Sequence, residues 1–405
     1  MHKIAMVTPG NLPVPAINGG AVEVLITDLI EANEVDGKYK IDLYTIQTEG
    51  LEEYQYKYTN IIQVNYNKLE RFVDYGLDKI FRTINRNMSY RLIDYKIAGK
   101  IVKEYDLIII QNTMSLYKAV YNTHKKQKYV YHMHNDVDMY RNYKYCNFVG
   151  KTCERVIAIS EYIKERFESN AKVYGKTEIL YNCVDFQKFS CKDIDVGKLK
   201  SEWNISSDDV VFFFSGRINK DKGVTELLEA FKMLSQKYSN VKLIIIGSAV
   251  FGSKRKNQYE EQVNRLAADM KNKVVFTGYV ESERIPSIYQ IADVAVVPSM
   301  WEEPFGVVAL EIMAMKKPII VTRSGGLTEV VDSESAKIVD KSEKVVENLF
   351  HAMEEFYCMG EKRVEAGKKS YKYIKSIPAF DRENYYNNFC NIIDDVLREN
   401  QDKRR

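Results

Sequence analysis

Paired cysteines are missing from this sequence. Its six cysteines, at 146, 153, 183, 191, 358 and 390, form no C-x-x-C pair, which speaks against a zinc site and a disulfide framework and fits a reducing, cytoplasmic setting. A dominant charge is missing too: 59 lysines and arginines face 56 aspartates and glutamates, and a net +3 is too small to argue for nucleic acid as a partner. No run approaches the roughly 18 apolar residues of a membrane span. The apolar run in Met1-His-Lys-Ile-Ala-Met-Val-Thr8 is too short for a signal peptide. The chain is therefore expected not to be integral to a membrane, which leaves a peripheral contact open. There is no G-x-x-x-x-G-K-[ST] loop, and no G-x-G-x-x-G fingerprint to support an NAD site. What is present, 45% hydrophobic and 28% charged residues over 405 positions, describes a soluble globular protein of about two or three domains.

Short apolar runs alternate with longer amphipathic ones, the pattern of parallel sheets wrapped by helices. Lys3–Val7, Ile41–Thr45, Asp106–Ile110, Lys128–His132, Arg155–Ile159 and Glu178–Tyr181 read as one series of strands, with a helix over Gly20–Glu34. A polar segment from Lys188 to Asp208, carrying Lys192, Asp193, Asp195, Lys198 and Lys200, reads as a linker. Val210–Phe214, Val241–Ile246, Val274–Phe276, Val294–Val297 and Pro318–Thr322 form a second series. Two doubly wound α/β domains follow, over residues 1–190 and 191–378. The tail, 379–405, has apolar residues at helical spacing and is expected to pack back on the first domain.

The candidate site residues sit at strand ends, where open α/β sheets bind ligands. Glu303 lies at the mouth of a helix beginning near Phe305, and Glu311 about two turns inside it. Each has a plain alternative, as a dipole partner or a solvated helix residue. Arg217 and Lys222 occupy the turn Ser215–Gly223. A planar fork and a point charge there can hold a diphosphate, although an ordinary basic turn would look the same. Gly19 and Gly20 open a helix after the first strand, suiting close approach of a phosphate to backbone N–H groups or merely a turn. His132 and His134 share one side of an extended strand. A histidine pair or Asp136-Val-Asp138 could be read as metal ligands, but no third and fourth ligand follows at a fitting interval. A hydrogen-bonded core histidine and a donor to a sugar hydroxyl both remain open for His134.

Taken together, Pro298-Ser299 with Glu303-Pro-Phe-Gly-Val-Val-Ala-Leu-Glu311 resembles the E-x7-E signature of the family-4 retaining glycosyltransferases, and Gly216-Arg217 with Lys222-Gly223 resembles their phosphate-binding turn. Gly19-Gly20, His134, Ala158-Ile-Ser160, Tyr181-Asn182-Cys-Val184-Asp185, Thr277-Gly278 and Ser324-Gly325-Gly326 fall in the family's order, so the resemblance spans nearly the whole chain. Cys183 departs from the glycine common in that N-G-V-D segment, and the seven-residue spacing selects Glu303 over its neighbour Glu302.

The resemblance implies a GT-B fold, two Rossmann-like domains facing across a cleft, the first for the acceptor and the second for a nucleotide-sugar. It implies retaining transfer of a hexose from a nucleoside diphosphate sugar, with UDP expected, and neither metal nor cofactor. By similarity, Glu311 would hold the ribose, Glu303 the donor sugar, and Arg217 and Lys222 the diphosphate. The amides of Gly20, Phe305, Gly306 and Val307 would assist, His134 would stand near the reaction centre, and Gly278 and Val280 would lie by the base. The implied acceptor is a glycan or lipid-linked glycan of bacterial envelope or exopolysaccharide synthesis. Lys68–Lys103, with Arg71, Lys79, Arg82, Arg86, Arg91, Lys96 and Lys100, offers a basic surface for anionic lipid or simply a solvated face. A GT-B epimerase and a non-catalytic glycan-binding or coat protein are the alternatives.

Overall fold

The computed structural model describes residues 1–84, 91–138, 143–190, 196–248, 258–270 and 272–402. Arg86 and the linker residues Lys192, Asp193 and Asp195 lie outside them, as does the side chain of Arg82. The chain divides into two units, Met1–Asn182 with Glu383–Arg405, and Cys183–Arg382.

The first unit holds a seven-stranded parallel sheet in the order β3-β2-β1-β4-β5-β6-β7. Its strands are β1 (His2–Val7), β2 (Tyr39–Ile46), β3 (Thr59–Val64), β4 (Leu107–Gln111), β5 (Tyr129–Met133), β6 (Arg155–Ala158) and β7 (Thr177–Ile179). The second holds six parallel strands in the order β10-β9-β8-β11-β12-β13. These are β8 (Val210–Ser215), β9 (Val241–Ile246), β10 (Val274–Gly278), β11 (Val294–Val297), β12 (Ile319–Thr322) and β13 (Ala336–Val339). Helices cover the central strands on both faces, so these strands are apolar throughout instead of alternating. Leu107–Ile110 and Phe212–Phe214 are essentially inaccessible, each such side chain contributing about 1.5–3 kcal/mol by burial.

Sequence periodicity missed two strands, β3 and β13, and both lie at sheet edges. An edge strand keeps one hydrogen-bonding side open, and Asn60, Gln63 and Lys337 interrupt its apolar run. The segment read as linker contains a helix, Val196–Glu202.

The structural boundary falls at Asn182, earlier than residue 190. Val184 bridges to Asp381, and Arg382 reaches Asp185 at 2.8 Å, tying that segment into the second unit. From Glu383 on, the last helix, Arg382–Asp402, groups with the first unit. Phe389, Ile393 and Val396 are buried at helical spacing. Tyr39 Oη donates to Asp394 Oδ1 at 2.6 Å, and Arg155 pairs with Glu399 at 2.5 Å.

In each sheet the order reverses beside the first strand, between β1 and β4 and between β8 and β11. Crevices outside the carboxyl ends of strands at such reversals are where open α/β sheets take ligands.

Candidate functional site

In the second unit, the turn after β8 is pinned against the exit of β11. Asn219 Oδ1 accepts from the Lys222 N–H at 3.2 Å, capping a 3₁₀ turn over Lys220–Lys222. Gly223 follows at φ +68°, and a Cβ there would stand 1.9 Å from Pro298 O, so only glycine lets the turn lie this close. Asp221 O accepts from the N–H groups of Met300 and Trp301 at 2.7 and 3.3 Å. The consequence is a direct ion pair, Lys222 Nζ to Glu303 Oε1 at 2.5 Å. The ammonium also stands 5.4 Å from the Trp301 ring centroid.

Glu303 is only 6% exposed. Ser299 donates to the same carboxylate oxygen, Ser324 Oγ accepts from the Glu303 N–H at 3.1 Å, and Glu303 O accepts from Gly326 N at 2.8 Å. Burial alone would raise this carboxyl's pKa. The charge and hydrogen bond of Lys222, with the Ser299 hydroxyl, outweigh burial and hold it below the usual carboxylate range.

Arg217, exposed at the start of the same turn, meets no carboxylate among the described residues. Gly306, at φ +112°, begins the helix Val307–Ala314. A Cβ there would meet Leu327 Cδ1 at 2.5 Å. The first N–H groups of that helix, from Val307 on, have no intrahelical acceptor, which makes an anion-facing end just after Phe305 and Gly306.

Glu311, inside that same helix, behaves differently. Burial pushes its carboxyl up to about 7 against the opposing charge of Lys188. The Tyr289 hydroxyl is buried beside it without a hydrogen bond of ordinary geometry. Lys188 Nζ donates to Ser282 Oγ at 2.7 Å, in the loop beyond Gly278 and Val280. Gly278 ends β10 at φ +68° and accepts from Gly247 N at 3.0 Å. Sequence reasoning missed Lys188, Ser282 and Tyr289. Lys188 opened a polar stretch read as linker, and no local pattern connects it with a helix residue more than a hundred positions on.

The first unit carries its own strand-end cluster. His134 follows β5 and is 4% exposed; its Nε2 lies 2.9 Å from Gln111 Oε1, and its backbone N–H donates to Asn112 Oδ1 at 3.2 Å. Burial pulls its imidazole down to about 3, so it is neutral at any ordinary pH. His132, on the same side of the strand, lies against it with ring centroids 4.0 Å apart and the rings tilted by 40°, and neither of its ring nitrogens has a partner. Nδ1 of His134 and Nε2 of Gln111 are likewise buried and unpartnered.

Gly20, at φ +103°, caps helix α1 (Ala21–Asp36). The carboxylate of Glu23 occupies the space beside it, 2.2 Å from where a Cβ would be, while the space around Gly19 is open. Asp136 and Asp138 are both engaged by Arg166, and no group of three or more potential metal ligands occurs among the described residues.

A buried carboxylate locked to a lysine, an unengaged arginine and a helix start make a site suited to an anion with an attached polyol. The model of the Glycosyltransferase Family 4 matches residues 22–188, and that of the Glycosyl transferases group 1 matches 195–373. The chain belongs to the family-4 glycosyltransferases.

This family-4 glycosyltransferase is 24% identical over 384 residues to spore coat protein SA of Bacillus subtilis, covering 92% of this chain and 95% of the relative. It is 27% identical over 335 residues to the lipopolysaccharide 1,2-N-acetylglucosaminetransferase of Salmonella typhimurium, covering 82% and 83%. The solved structure of Anabaena HepE in complex with UDP and glucose matches with a TM-score of 0.71 at 19% identity, over 97% of this chain and all of that one. The GT-B fold of paired Rossmann-like units expected from the sequence is the fold observed.

Proposed function

We propose that the second unit binds a UDP-hexose and that the enzyme transfers the hexose, with retention and without a metal, to a glycan or lipid-linked acceptor of bacterial envelope or exopolysaccharide synthesis. The observation that carries this reading is the 2.5 Å Lys222–Glu303 pair at the β8/β11 reversal, flanked by Arg217 and a helix start. Glu303, kept ionised by Lys222, is an acceptor for the donor sugar's hydroxyls. Departure of the nucleoside diphosphate builds negative charge, which Arg217, Lys222 and the amides of Phe305, Gly306 and Val307 stabilise. Glu311 in its ionised form accepts from the ribose hydroxyls, with Gly278 and Val280 beside the base.

In the first unit, Nε2–H of His134 donates to Gln111 Oε1, so Nδ1 serves a sugar hydroxyl as an acceptor and not as the donor considered from sequence. The Gly20 amide is a weaker candidate for the diphosphate, because the Glu23 carboxylate already stands there. The UDP reading draws support from the complex solved for HepE, and the envelope reading from the Salmonella relative. The coat-protein name of one relative keeps a non-catalytic reading in view, against which stand Arg217, Lys222, Glu303 and Glu311, all present.

The test offers UDP-, GDP- and dTDP-sugars to the purified protein, with and without a chelator, and follows nucleotide release. Release from a UDP-sugar that survives chelation is expected. Silence on every donor with no nucleotide binding removes the enzyme reading, and loss on chelation removes the metal-free mechanism.

A further inference from the structure

Glu302, which the E-x7-E spacing passes over in favour of its neighbour, is bound into the site through its own carboxylate. Its Oε2 accepts from the Gly325 N–H at 2.6 Å, and its Oε1 pairs with the Lys341 ammonium. Lys341, just beyond β13, also donates from Nζ to Trp301 O at 3.3 Å. One residue of the β11 exit thereby joins the turn after β12 to the segment after β13.

That same turn holds the main chain of Glu303. Ser324 Oγ donates to Trp301 O and accepts from the Glu303 N–H at 3.1 Å, and the Gly326 N–H donates to Glu303 O at 2.8 Å. Thr322, at the end of β12, donates from Oγ1 to Ser299 O at 2.6 Å, and the Ser299 hydroxyl donates to the Glu303 carboxylate. Glu303 is therefore fixed at both ends, its side chain by Lys222 and Ser299 and its main chain by Ser324 and Gly326. An ion pair with an exposed partner adds little to stability, and Glu302 exposes 51% of its side chain against 17% for Lys341. What these contacts set is geometry: they place the turn from which the Glu303 main chain hangs, and a hydrogen bond to a ligand weakens steeply when its acceptor is misplaced.

We infer that Glu302 and Lys341 are positioning residues for the donor sugar, setting through the Ser324–Gly326 turn where the Glu303 carboxylate meets the sugar's hydroxyls. The inference rests on the donor reading and deepens it, since neither residue is assigned to the donor. The experiment is calorimetric titration of the full chain with UDP, UDP-glucose and UDP-N-acetylglucosamine. Wild type is compared with Glu302→Leu, Lys341→Met, the double variant of the two, and Lys341→Arg, alongside melting temperatures.

For the sugar nucleotide that the wild type binds, Glu302→Leu and Lys341→Met should each lower affinity about tenfold, the worth of one hydrogen bond to a charged group. Affinity for UDP, which has no sugar for Glu303 to meet, and melting temperature should stay unchanged. The double variant should lose no more than either single one, because both act through one turn, and Lys341→Arg, which keeps the pair, should bind as wild type does. Equal sugar-nucleotide affinity in wild type and variants overturns the inference. A loss of the same size for UDP also overturns it and makes the contacts merely structural. A wild type that binds UDP but neither sugar nucleotide overturns it while leaving a UDP site standing, whereas one that binds no nucleotide removes the donor reading and this inference with it.

Discussion

The two strand-end clusters solve the burial of polar groups in opposite ways. At the β8/β11 reversal the groups are charged and matched: Glu303 is buried with Lys222 on one oxygen and Ser299 on the same atom. At the ends of β4 and β5 they are neutral and partly unmatched, with two adjacent imidazoles, both driven neutral by burial, and several polar atoms without partners. A buried charge demands a partner at once, whereas an uncharged nitrogen can wait, at a cost of about 1–3 kcal/mol, for a ligand's hydroxyl. The charged cluster should therefore dominate stability and the neutral one should matter chiefly when ligand is present.

The hardest blow to the charged cluster is Gly223→Ala. A left-handed backbone disfavours any Cβ by about 1–2 kcal/mol, and contact with Pro298 O adds overpacking of about 1–3 kcal/mol. Urea unfolding should show a loss of roughly that sum, with UDP binding abolished.

Lys222→Ala comes next. It strands a buried carboxylate and should cost about 3 kcal/mol, the low end for a broken buried pair because Ser299 still donates. Lys222→Met with Glu303→Gln should recover most of the stability but none of the turnover. Since the folded pKa of Glu303 lies below its unfolded value, the pair's contribution is present above about pH 4.5 and is lost as pH falls through the lower folded value. The stability gap between wild type and that double variant should close in acid.

Glu311 yields a smaller effect with the opposite sign. Its folded pKa, about 7, lies above the ordinary glutamate value of 4.5, so its favourable contribution is complete below about pH 4.5 and disappears as pH rises through 7. Glu311→Gln should thus stabilise the protein above pH 7. On the proposed ribose role of Glu311, UDP-sugar affinity should weaken roughly tenfold between pH 8 and pH 6 in the wild type and stay flat in Glu311→Gln.

The least change is expected at the neutral cluster. His134→Gln should leave every limb of the pH–activity profile between pH 5 and 8 in place, because the imidazole stays neutral throughout that range. A limb that disappears with His134 would show that the two clusters are not divided by charge as described.

Much of this was legible in the chain. The central strands announce themselves because burial on both faces demands unbroken apolar runs, whereas Glu303, Glu311, Arg217 and Lys222 each kept a plain alternative on position alone and were singled out together by the E-x7-E and phosphate-turn resemblance. The edge strands β3 and β13 were not legible, since half-burial admits polar residues. Lys188 was invisible for another reason: it serves a carboxylate to which nothing in its own neighbourhood points.

The sequence by itself determined the parallel α/β architecture and the residue types available at the strand ends, because periodicity and turn chemistry are local properties. Only the tertiary structure decided which charges cancel. Lys222 and Glu303 stand 81 positions apart and meet because β8 and β11 are neighbours in the sheet. Strand order is set by packing over the whole unit, so the charge state of the site is a property of the fold and not of any stretch of chain.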